Sequence, residues 1–195
     1  MALTETKIDF LNDLGFANNE IFPELELLSE GESKYLRDLR VNVKNVLSSG
    51  NLSQKESYLL ALSIAFNEKN SKLINSFMAK AKEFEANDAE IAETVACTSQ
   101  LAANNVFYRF RHFTKETNPV YQTMPAGIKM NVMMNPVLGK EFFELMSLAV
   151  SAVNGCESCV NSHEESVRKL GSSDGRIFDA IRLASVIRGL AIVIK

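Results

Sequence analysis

A surplus of basic residues is the first thing this chain lacks. Its 21 lysines and arginines are outnumbered by 24 aspartates and glutamates, a formal charge of -3. No broad basic face is therefore available for nucleic acid or for an anionic membrane surface, and neither is expected as a partner. No apolar run approaches the ~20 residues of a membrane span, and the apolar C-terminal stretch is punctuated by Arg182 and Arg188, as suits a buried amphipathic helix. The opening MALTETKIDFLNDLGF has none of the basic start, apolar middle and small-residue cleavage site of a secretory signal, so the expected compartment is the cytoplasm.

Proline is sparse too, and Pro23, Pro119, Pro125 and Pro136 all fall between periodic apolar segments. No alternating run of β-branched residues is long enough for a strand, which makes the chain all-α. Histidine occurs twice and cysteine three times. In the cytoplasm thiols stay reduced, so a close cysteine pair points to catalysis, redox cycling or metal binding and not to a structural staple. Cys97, set among Ala96, Thr98 and Leu101, reads as a small buried filler.

What is present is enough apolar material, 46% of 195 residues, for one domain or two small halves sharing a core. Periodicity predicts helices over 4–14, 32–48, 54–68, 71–84, 88–112, 137–153, 156–170 and 174–193. Start signals agree with this. SQKE, from Ser53 to Glu56, fits a capping box, Pro136 is placed where a first helical turn tolerates it, and Ser172 or Ser173 is offered as a cap.

A weak internal repeat accompanies these elements. LSIAFNEKNSKLIN from Leu62 aligns with AVSAVNGCESCVNS from Ala149, and ANDAEIAETVACTSQLAA with SSDGRIFDAIRLASVIRG. The expectation is a single domain over 1–195 with a degenerate N-terminal copy at about 52–112 and a redox-active C-terminal copy at about 137–195. In that alignment Lys69, Lys72 and Ser76 occupy the positions of Cys156, Cys159 and His163, so chemistry is confined to the second copy.

That chemistry centres on NGCESCVNSHEE. Asn154-Gly155 breaks the preceding apolar segment, and a helix starting at or beside Cys156 places Cys156, Cys159 and His163 on one stripe. A thiol is mostly protonated at neutral pH, and only the thiolate attacks peroxides or disulfides. The helix N-terminus favours a thiolate on Cys156, whereas His163, one turn on, can take the proton from Cys159; position alone does not choose between them. Glu144, between Phe143 and Leu145 on an otherwise apolar helix, needs a partner. Either it orients the imidazole of His163, or it points to solvent with Glu141. Zinc is a rival ligand for two cysteines, a histidine and a carboxylate, although no second Cys or His pair has finger-like spacing.

The stretches FELMSLAVSAVNGCESCVNSHEESVRKLG, NNVFYRFRHF and IKMNVMMNP resemble the AhpD-type alkyl hydroperoxide reductases of the carboxymuconolactone decarboxylase-like superfamily, with falling strength from about Leu3 to Ile192. The resemblance implies an AhpD-like helical homotrimer acting as a thiol peroxidase and passing electrons to a peroxiredoxin of the AhpC type. Its reductant would be dihydrolipoamide, carried on a lipoylated acyltransferase and renewed by an NADH-dependent reductase, with no tightly bound cofactor. It assigns Cys159 as the cysteine that becomes sulfenic acid, Cys156 as proton donor and resolving thiol, and Glu144 and His163 as a proton relay, with Cys156 and Cys159 forming the redox disulfide. Ser158 departs from the family, where a histidine is frequent. The alternatives are an electron adaptor with negligible peroxidase activity of its own and a zinc-binding protein; a lactone decarboxylase would need no redox pair. His112 reads as a structural or subunit-contact residue, and Met124, Met130, Met133 and Met134 as core or interface filling.

Overall fold

Caps and apolar periodicity direct the chain into helices alone. The computed structural model describes residues 3–195, and among these there is no strand. The order is α1 (Leu3–Asp13), α2 (Pro23–Glu30), α3 (Tyr35–Leu47), α4 (Gln54–Asn67), α5 (Ser71–Glu83), α6 (Asp88–Thr114), α7 (Val120–Thr123), α8 (Lys140–Val153), α9 (Glu157–Lys169) and α10 (Asp174–Val193), with a 3-10 turn at Asn131–Met133 before α8. Ser53 accepts from the Glu56 N–H while the Glu56 carboxylate accepts from the Ser53 N–H, the expected capping box. Of the two serines offered for α10, Ser173 is the cap, and the Ser172 hydroxyl donates to Glu141. Among the described residues no helix is long and apolar enough to cross a membrane.

Three expectations need correction. Residues 32–34 precede α3 instead of opening it, and α2 was not foreseen at all. Its first residue, Pro23, reads as punctuation in sequence yet is tolerated there because a first-turn N–H has no helical partner. The helix expected from 137 begins at Lys140. Gly139 is left-handed (φ 79°), and the Val137 and Leu138 N–H groups donate to the buried carboxylate of Glu93 at 2.8 and 2.6 Å, which holds them out of the helical ladder. Pro136 is thus in a separate turn, closed by the Gly139 N–H to the Pro136 carbonyl.

A constant spacing of 86 residues relates two sets of three helices: α8 starts at 140 against 54 for α4, α9 at 157 against 71 for α5, and α10 at 174 against 88 for α6. The left-handed residues between them obey the same spacing, Lys69 with Gly155 and Glu85 with Gly171. So do two buried carboxylates that each secure the segment before the other set's first helix: Glu93 holds Val137 and Leu138, and Asp179 accepts from Asn51 at 2.7 Å. An ion pair recurs with its charges exchanged, Lys55–Glu90 at 2.8 Å and Arg176–Glu141 at 2.9 Å.

This spacing corrects the first sequence alignment by one residue. The helical positions of Cys156, Cys159 and His163 are held by Asn70, Leu73 and Phe77, not by Lys69, Lys72 and Ser76. Leu73 and Phe77 are buried core. Asn67 and Asn154, which the alignment paired, are instead direct neighbours, with Asn67 Nδ2 donating to Asn154 Oδ1 at 3.0 Å.

The core gathers on α4, α8 and α10, and α8 is its centre: Phe143, Leu145, Met146, Leu148, Ala149 and Val150 are all buried. A helix apolar on nearly every face is stable only when other elements surround it. Arg176 fastens one edge of this core, bonding Glu56 of α4 and Glu141 of α8. Burial pushes both carboxyls up, but the Arg176 guanidinium and neighbouring hydroxyls outweigh it and hold them below the usual carboxylate range.

Because those pKa values are lowered by folding, their stabilisation is present above the ordinary carboxylate range and is lost as pH falls through the lowered values. Arg176→Ala should cost about 3 kcal/mol at neutral pH, since it strands two half-buried carboxylates. Calorimetric melting should also show a smaller loss of Tm between about pH 5 and about pH 3 in the variant than in the parent. An unchanged pH slope would show that Arg176 does not hold them.

Candidate redox site

The reversal between α8 and α9 builds the site. Gly155 is left-handed (φ 67°), its N–H bonds the Ala152 carbonyl and the Cys156 N–H bonds the Ser151 carbonyl, both at 3.1 Å, which closes α8 in a Schellman turn. Side chains from other helices secure it. Asn154 donates to Asn105 Oδ1 at 2.9 Å, Asn105 donates to Ser151 Oγ at 2.9 Å, and Arg109 and Arg188 donate to the carbonyls of Asn154 and Val153 at 2.7 and 2.8 Å. The exposed carbonyls at a helix end are thereby satisfied.

Cys156 is the N-cap of α9 and Cys159 lies one turn further, with Cα atoms 5.3 Å apart and the two sulfurs joined as a disulfide. The pair is not symmetric in exposure. Cys159 lines a cavity of about 370 Å³, together with Ser158, Ser162 and His163 of α9. Cys156 is fully buried and is not part of that lining; its Sγ is 3.7 Å from Ser158 Oγ. Of the two cysteines, Cys159 is the one that a molecule entering the cavity meets.

His163 Nδ1 is 2.7 Å from Glu144 Oε2, and each side chain is only 12% exposed. With Glu144 as a carboxylate, Nδ1 carries the proton and donates it, leaving the Nε2 lone pair free to accept one. The alternative in which Glu144 points to solvent with Glu141 does not hold, because Glu144 is buried against His163 and Glu141 is bound by Arg176. The four sequence candidates, Glu144, Cys156, Cys159 and His163, are thus brought together by two consecutive helices.

The remaining candidates divide. Cys97 is buried with its Sγ 3.5 Å from Ser147 Oγ, and burial pushes its thiol up to about 12, so it stays an inert core residue. His112 Nε2 lies 3.4 Å from Glu157 Oε2, which ties α6 to the first residue of the redox helix. Met130 and Met133 line the cavity, whereas Met124 and Met134 are exposed and fill no core in the chain. Met133 also packs against the core, and 124–139 is mostly irregular, with a single 3-10 turn.

Sequence reasoning missed Asn104 and Tyr108, which form the wall of the cavity on α6. Their one available signal was a pair of hydrogen-bonding side chains four apart on a long helix, Asn104 being 4% exposed. Among the described residues no three His, Cys, Asp or Glu side chains converge as a metal-ligand set.

The model of the carboxymuconolactone decarboxylase family matches residues 119–194, which span the whole redox motif. The alkyl hydroperoxide reductase AhpD of Anaeromyxobacter dehalogenans (strain 2CP-C) is 36% identical over 171 residues, covering 88% of this chain and 90% of that protein. AhpD of Coxiella burnetii (strain RSA 493 / Nine Mile phase I) is 40% identical over 160 residues, 80% and 89% of the two chains. AhpD of Solibacter usitatus (strain Ellin6076) is 38% identical over 171 residues, 88% and 95%. With identity at this level running through nearly the full length of each relative, the chain belongs to the AhpD-type alkyl hydroperoxide reductases of the carboxymuconolactone decarboxylase family.

Proposed function

We propose that this protein reduces organic hydroperoxides through the Cys156–Cys159 pair and is regenerated by a dithiol. The observation that carries the reading is Cys159 in the cavity wall together with His163, whose ring is held by Glu144 at 2.7 Å. His163 Nε2 takes the Cys159 proton, and the thiolate attacks the terminal oxygen of ROOH. The O–O bond breaks, Cys159 becomes a sulfenic acid, and the alkoxide leaves as alcohol with the proton of Cys156. Cys156 then attacks the sulfenic sulfur, water departs, and the disulfide forms. An incoming dithiol attacks Cys159, the sulfur within reach of the cavity, and expels Cys156 as thiolate. The Ser158 hydroxyl, 3.7 Å away, and the N-terminus of α9 are positioned to stabilise that buried leaving group.

Dihydrolipoamide, carried by a lipoylated acyltransferase and renewed by an NADH-dependent reductase, is the proposed dithiol, and a peroxiredoxin of the AhpC type is the proposed electron acceptor in addition to peroxide. No tightly bound cofactor is required by this chemistry, and the reaction is assigned to the cytoplasm. A homotrimer is proposed as well. Its support is an apolar stripe on α6, Val106, Phe110 and Phe113, which are 62, 45 and 71% exposed and follow the i, i+4, i+7 spacing of one helix face.

Cys159→Ser should abolish peroxide consumption with dihydrolipoamide, while Cys156→Ser should retain a single turnover and accumulate a mixed disulfide with AhpC-type peroxiredoxin through Cys159. Full activity in Cys159→Ser would defeat the reading. If the protein is chiefly an adaptor, adding the peroxiredoxin should raise NADH-coupled turnover far above the rate of the protein alone. His163→Gln should lower the peroxidase rate on the order of 100-fold, and adding Glu144→Gln to it should cost little more, since the two act as one unit. Additive losses in stopped-flow traces would separate them. For the assembly, Phe113→Glu should reduce the mass measured by light scattering from three chains to one with the helical signal retained.

A further inference from the structure

The cavity beside Cys159 has a wall that the chemistry above leaves unused, formed by Met130 and Met133. Both residues line the same cavity as Cys159, so a hydroperoxide bound there lies among three sulfur-bearing side chains. In the disulfide state Cys159 has no thiolate with which to react, and the thioethers are then the reducing groups left in the cavity.

The two methionines are not equivalent. Asn104 Nδ2 donates to Met130 Sδ at 3.2 Å, which occupies a lone pair that an attack on oxygen would use. Asn104 is itself 4% exposed and fixed by Gln100, which donates to its Oδ1 at 3.0 Å, so its amide is aimed at the thioether. Met133 Sδ has no such donor among the described residues.

We propose that Met133 is an oxidation site served by this cavity, converted to its sulfoxide by bound organic hydroperoxide once the cysteine pair has closed; the proposal rests on the peroxidase reading. The thioether sulfur attacks the terminal oxygen of ROOH, an S–O bond forms as the O–O bond breaks, and the sulfur gives up two electrons. The proton of the terminal oxygen passes to the departing alkoxide, so the products are the sulfoxide and ROH. A polar, chiral sulfoxide then replaces part of an apolar wall. The consequence is a brake: when reductant fails and the disulfide persists, excess peroxide weakens the cavity's hold on apolar substrate until a sulfoxide-reducing enzyme restores it.

The test uses the full chain in its disulfide form, exposed to cumene hydroperoxide or to hydrogen peroxide and followed by peptide mass spectrometry. Each methionine serves as its own control. The ratio of sulfoxide formed with the bulky apolar oxidant to that formed with hydrogen peroxide should be several-fold larger at Met133 than at Met124 or Met134, which lie outside the cavity at 54 and 75% exposure. Asn104→Ala should raise the ratio at Met130 towards that of Met133. Equal ratios at Met133, Met124 and Met134, or a Met130 that is indifferent to Asn104→Ala, would overturn the proposal. A parallel sample of reduced protein keeps the two readings apart. If cumene hydroperoxide closes the Cys156–Cys159 bond there while the methionine ratios are flat, the methionine proposal falls alone; if it does not close that bond, the peroxidase reading falls and takes the methionine proposal with it.

Discussion

The left-handed conformation of Gly155 is the constraint on which the site depends. A helix apolar on nearly all faces, α8, must stop inside the protein and send the chain back along itself, and a residue at φ 67° accomplishes this without a Cβ clash. The reversal makes Cys156 an N-cap, places Cys159 one turn inwards, and returns His163 to the level of Glu144, nineteen residues earlier in the chain. Three asparagine contacts and two arginine-to-carbonyl bonds hold the turn from α4, α6 and α10, so its geometry is set by the whole fold and not by α9 alone.

Burial then distinguishes the two cysteines. Both sulfurs are nearly inaccessible from bulk solvent, but Cys159 opens to the cavity whereas Cys156 is enclosed beside Ser158. A carboxylate as buried as Glu144 would be costly without a partner, and His163 Nδ1 supplies one. The same bond fixes the orientation of the ring, with Nδ1 towards the carboxylate and Nε2 left over. Satisfying Glu144 and orienting His163 are therefore one interaction with both a structural and a chemical result.

The 86-residue correspondence displays what the site costs the scaffold. In the first set of helices Asn70 caps α5 through its side chain, donates to the carbonyls of Ala191 and Ile194, and is followed by Leu73 and Phe77 in the core. In the second set the corresponding positions carry Cys156, Cys159 and His163, and where a phenylalanine would fill space there is an imidazole beside a cavity. Two carboxylates that reach across, Glu93 and Asp179, tie each set of helices to the segment before the other set's first helix.

The sequence by itself determined the fold class, nearly all of the long helices, the Ser53–Glu56 capping box and the spacing of Cys156, Cys159 and His163, because these are set by contacts within a few residues and by apolar periodicity. It also singled out Glu144, since a charge on an apolar helix demands a partner. It did not determine α2, whose proline reads equally as a start or a break, nor the beginning of α8, where the distant Glu93 takes the Val137 and Leu138 amides. Nor did it determine which sulfur faces the cavity, that Asn104 and Tyr108 form its far wall, or that two of the four clustered methionines lie in it and two outside. Those facts depend on which surfaces of α6, α8 and α9 meet, and packing between elements remote in sequence leaves no periodic trace in any one of them.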